Sequence, residues 1–131
     1  MNCWQMQSLR LRPHAPEILS TTDEARVVAL QIPAGESLSD HQVHERAWVI
    51  VTDGEVEITT PDGESASGGS GLLVEFAPGE RHAVTARTDA RLVLLLTPWP
   101  GDGHPGTMSL ADKAHVRERA AEHNHPPGEV A

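Results

Sequence analysis

Residues 35–54 read Gly-Glu-Ser-Leu-Ser-Asp-His-Gln-Val-His-Glu-Arg-Ala-Trp-Val-Ile-Val-Thr-Asp-Gly, and residues 71–82 echo them as Gly-Leu-Leu-Val-Glu-Phe-Ala-Pro-Gly-Glu-Arg-His. In both, a glycine and a turn frame a short apolar run, with histidine placed at a turn or strand end. Asp53-Gly54 is a strong hairpin signal between Trp48–Val51 and Glu55–Thr60. Within Glu55–Thr60, Val56 and Ile58 alternate with polar neighbours, the period of a strand with one buried face. Arg26–Ile32, Leu72–Phe76, His82–Ala86 and Arg91–Thr97 read as further strands. Pro33-Ala34-Gly35, Pro61-Asp62-Gly63-Glu64, Pro78-Gly79 and Thr88-Asp89 separate them. The Ser/Gly run Ser65–Gly71 reads as a flexible connection. Short strands at even spacing without intervening helices imply an all-β sandwich or barrel.

The two segments together resemble the paired motifs of the cupin superfamily. Gly35, His41 and Gly54 stand at the intervals of the first motif; Gly71, Pro78-Gly79 and His82 supply the second. The resemblance covers about Val27 to Thr97. It implies a cupin double-stranded β-helix, a jelly-roll-type barrel, often with a metal between its sheets. The chain departs from the pattern at two ligand positions, where the second His is Val43 and the Glu is Ala47.

Outside a barrel at 26–97 lie two flanks. Residues 1–25 form an N-terminal extension in which Trp4–Leu11 reads as an edge strand, closed by Pro13 and Pro16. Residues 98–131 begin with a connector rich in Pro and Gly. Ser109-Leu-Ala-Asp112 then reads as an N-cap with an acidic third position, opening an α-helix to about Glu122 before Pro126-Pro127. Its thin apolar stripe, Leu110, Ala114 and Ala121, needs a surface to pack on.

At 131 residues the chain suits one domain with one core. With three Trp, one Phe and no Tyr, aliphatic side chains must fill that core. A net charge of −9 without a basic cluster argues against a nucleic-acid partner. The lone Cys3 suits a reducing cytosol. No run of apolar residues approaches membrane-spanning length. A cytoplasmic protein without a membrane partner is the expectation.

The chemistry rests on histidine. The resemblance assigns His41 and His82 to ligand positions. Strand alternation sends residues 41, 43, 47, 49 and 51 to one face and His44 to the other, unless a bulge swings His44 inward as a third imidazole. Three such donors suit zinc, iron, manganese or nickel. Val43, Ala47, Val49 and Val84 would line the same interior. Glu75 reads as a solvated charge or a replacement carboxylate. Glu45 and Arg46 read as a pocket mouth or ordinary surface charge. Asp102 and His104 in the connector, and His115, Arg119, His123 and His125 in the tail, are weaker candidates.

Two readings follow. In one, His41, His44 and His82 hold a divalent metal that acts on a small organic molecule, as in cupin dioxygenases, isomerases or cyclases. In the other, Val43 and Ala47 mark a metal-free pocket that binds a small, mostly apolar ligand. Family epimerases use a Tyr, which this chain lacks. A homodimer is expected, because edge strands of such barrels pair across subunits.

Overall fold

The computed structural model describes residues 1–104; residues 105–131 and the side chains of Asp40 and His41 lie outside the described part. The expected C-terminal helix and its histidines therefore fall outside it.

Nine strands form two antiparallel sheets: β1 (Glu17–Thr21), β2 (Arg26–Ile32), β3 (Ser37–His41), β4 (Arg46–Asp53), β5 (Val56–Thr59), β6 (Ser65–Gly68), β7 (Leu73–Phe76), β8 (His82–Ala86) and β9 (Ala90–Thr97). One sheet has the order β1-β2-β9-β4-β7 and the other β3-β8-β5-β6. This is the expected all-β jelly-roll barrel. Burial alternates strictly along β9, with Ala90, Leu92, Leu94 and Leu96 inside. These meet Val28, Leu30 and Ile32 of β2 and Val49 and Val51 of β4 in one aliphatic cluster. Aliphatic packing does fill the interior; Phe76 and Trp99 are the aromatic residues in it.

Two expectations are corrected. The Ser/Gly run is not a free connection: Ser65–Gly68 pairs with Val56–Thr59, because β5 otherwise exposes a row of unpaired backbone groups. Trp4–Leu11 is not a strand; it carries a single 3-10 turn, Met6–Ser8, held where Arg91 donates to the carbonyls of Met6 and Leu9. The edge strand of the N-terminal extension is instead Glu17–Thr21, paired with β2. At the far end of the barrel, Gly54 sits at φ +77° against the Asp89 carbonyl, a close approach that only glycine allows.

Candidate functional site

The chain crosses between the two sheets twice at one end of the barrel. Residues 42–45 carry it from β3 to β4, and residues 77–81 from β7 to β8. These crossings are the centres of the two sequence motifs. They are tied to each other, since the Gly79 N–H donates to the Val43 carbonyl at 2.8 Å. Residues 98–104 leave β9 at the same end, where Thr97 stands opposite Arg46. Three segments therefore converge on one barrel mouth.

His82 opens β8 and is 2 % exposed. Its ring stacks on Phe76, with centroids 3.9 Å apart and planes 10° from parallel. Its Nδ1–H points to the Glu80 carbonyl at 3.3 Å, which favours the tautomer with the lone pair on Nε2. His41 stands opposite His82 in the β3–β8 register. Its side chain lies outside the described residues. Val43, Ala47, Val49 and Val84 are all buried in the core cluster, and Ala47 stands opposite Phe76. The wall beside His82 is thus apolar.

His44 is half-buried, and its ring meets the ring of His104 edge-on at 5.7 Å. Burial is the main cause that pulls its pKa below the ordinary histidine value. His104 adds to the lowering, and the carboxylate of Glu45 opposes it. Among the described residues, no three His, Cys, Asp or Glu side chains come together in a way that could hold a metal ion. Val43 and Ala47 have no donor atom to offer at the positions where the family supplies His and Glu. The described residues therefore do not reproduce the family's metal-ligand set.

The strongest polar feature is one that sequence reading gave little weight. Glu45 is 1 % exposed, not a surface charge. Its Oε2 accepts the Gly101 N–H at 2.7 Å and lies 2.9 Å from His104 Nδ1. A buried carboxylate without such partners would be prohibitively costly. Around it, Trp99 packs edge-on against His104 at 4.5 Å and receives the Arg26 guanidinium on its face at 3.9 Å. The Trp99 N–H and the Thr97 hydroxyl both donate to the Glu24 carbonyl. Residues 98–104 are a strap pinned across the barrel end, with Glu45 as its anchor. The available signal was parity: Glu45 shares the inward alternation of Val43, Ala47, Val49 and Val51. Arg46 and Glu75, by contrast, form an exposed ion pair at 2.8 Å, in line with the solvated reading of Glu75.

Comparison with known proteins agrees with this architecture. The cupin-domain family model, Cupin_2, matches residues 28–98. The chain is similar in structure to an RmlC-like cupin protein from Desulfovibrio desulfuricans, at 18% identity over 75% of this chain and 96% of that one, with a TM-score of 0.66. A protein with a double-stranded β-helix domain from Klebsiella pneumoniae gives 18% identity over 77% and 93%, also at 0.66. An RmlC-like cupin family protein from Methanocaldococcus jannaschii gives 19% identity over 66% and 81%, at 0.59. No curated protein matches the chain. At these identities the structural likeness speaks for the fold alone. The match over residues 28–98 makes the chain a member of the cupin family.

Proposed function

We propose that this cupin is a small-molecule-binding barrel whose mouth works without a metal. The observation that carries this reading is the apolar filling of two ligand positions: Val43 is 6 % exposed and Ala47 0 %, both within the hydrophobic cluster. The ligand it fits is small and mostly apolar, with a polar group anchored by His82 and His41. The exposed Cys3 and the acidic charge suit a cytosolic setting.

The test is thermal melting against a panel of small organic acids and neutral apolar molecules. A true ligand at about 100 times its Kd stabilises by about 2.7 kcal/mol. That stabilisation should disappear in His82→Ala. A panel hit whose effect survives His82→Ala would place its binding elsewhere and sink the reading.

A second reading keeps a divalent metal, Zn, Fe, Mn or Ni, on His41, His82 and His44. Its support is the register that sets His41 opposite His82. Against it stands the engagement of His44 with His104. The enzyme class, dioxygenase, isomerase or cyclase, belongs to this reading alone.

A further inference from the structure

β9 and the segment that follows it are held in different ways. β9 is paired with β2 on one side and β4 on the other, so strand ladders fix its backbone. Residues 98–104 lie outside any strand. Pro98 and Pro100 have no N–H to give to a ladder. The Trp99 N–H donates to the Glu24 carbonyl, and the His104 N–H closes a local turn on the Gly101 carbonyl. Side chains then bind the segment to the barrel: Glu45 accepts the Gly101 N–H, Arg26 covers Trp99, and His44 meets His104. A segment held by side chains rather than by ladders can open while the sheets beneath it stay folded.

Beneath this segment lies the wall beside His82. Gly101 rests on the crossing at 42–45, where a Cβ would come within 2.9 Å of the His44 carbonyl oxygen. That crossing is bonded to the one at 77–81, which leads into His82. Trp99 is 8 % exposed and joins Val43, Ala47 and Phe76 in one buried cluster, and Phe76 carries the His82 ring. We propose that residues 98–104 are a gate over the barrel mouth, with Trp99 as its plug and Glu45 as its latch. The gate rests on the reading of this mouth as a binding pocket, and adds how a ligand enters it. Entry requires that the Gly101–Glu45 bond break and that Trp99 leave the cluster, with no ladder disturbed. The buried position of the latch strengthens its hydrogen bond, because the local dielectric is low. A ligand shifts the gate only by its differential affinity for the open state. The gate therefore favours molecules apolar enough to replace the indole against Val43, Ala47 and Phe76, and selects against small, well-hydrated ones.

The test uses two probes on the full chain at neutral pH, in rising urea below the unfolding transition. One is hydrogen exchange of the Gly101 amide. The other is acylation of His82 by diethyl pyrocarbonate, read by peptide mass and scaled to the exposed His14. Protection of Gly101 should be lower than that of the β9 amides by about 100-fold or more, and nearly independent of urea, while β9 exchange accelerates with urea. His82 acylation should share the flat urea dependence of Gly101. Glu45→Gln should raise both rates together by about tenfold. Gly101→Ala, whose Cβ the His44 carbonyl excludes, should speed His82 acylation likewise, which keeps the test open should Glu45→Gln misfold. Acylation that climbs with urea in step with the β9 amides would overturn the gate, because the mouth would then open only with the whole barrel. Acylation unchanged in both variants would overturn it equally. Neither probe is a natural ligand, so a failed ligand panel and a failed gate are separate results.

Discussion

Replacing Glu45 by Ala should be among the most damaging single changes outside the aliphatic core. The carboxylate is 1 % exposed, accepts the Gly101 amide at 2.7 Å and lies 2.9 Å from His104 Nδ1. A hydrogen bond to a charged group contributes about 1.5–3 kcal/mol. The one lost methylene adds about 0.8 kcal/mol when fully buried. Relief of the carboxylate's own desolvation offsets part of this. The net expectation is a loss of about 2–4 kcal/mol. For a chain of this length that lowers the melting temperature by roughly 10 °C. Urea unfolding of native protein, Glu45→Ala, Glu45→Gln and His104→Ala would separate the parts. Gln keeps the shape and one acceptor oxygen for Gly101, and His104→Ala leaves the Gly101 bond intact. Both should cost about half as much as Glu45→Ala, about 1–2 kcal/mol. A Glu45→Ala loss below about 0.5 kcal/mol would mean the carboxylate is solvated and the strap is not anchored on it, refuting the reasoning.

Glycine and histidine give two further tests. Ala at Gly54 combines φ +77° with a Cβ 2.1 Å from the Asp89 carbonyl oxygen, so Gly54→Ala should cost about 3 kcal/mol or more. Gly63→Ala has φ +93° and open space around it, and should cost only about 1 kcal/mol of backbone strain; equal losses in urea would show that the Asp89 contact is not tight. The pKa of His44 is lowered in the folded state, so the unfolded chain binds the proton more readily. Its contribution is therefore constant above the ordinary histidine pKa near 6.5, and stability falls as pH drops below that value. His44→Gln should flatten that part of the melting temperature profile between neutral pH and pH 5; an identical acid slope in both proteins would contradict the shift.

The barrel was legible because its signals are local. Asp53-Gly54 and Pro78-Gly79 are turns with their own chemistry, and the alternation in Val56–Ile58 needs no partner to be seen. What was not legible depends on contacts distant in sequence. Ser65–Gly68 becomes a strand only because β5 offers it a ladder. Its composition alone speaks for a linker. Glu45 looks like surface charge until residues 98–104, more than fifty positions later, bring it an amide and an imidazole. Its parity with Val43 and Ala47 carried the hint, but a carboxylate on an inward face has no rationale until its partners are known.

The most direct test of the metal-free account is elemental analysis of untagged native protein beside His82→Ala, before and after reconstitution with Zn, Fe, Mn and Ni. The account predicts substoichiometric metal in both proteins under every condition, with Val43 and Ala47 as the reason. Near-stoichiometric metal in the native chain that is lost in His82→Ala would contradict it, and would make the barrel mouth a metal centre built on His82.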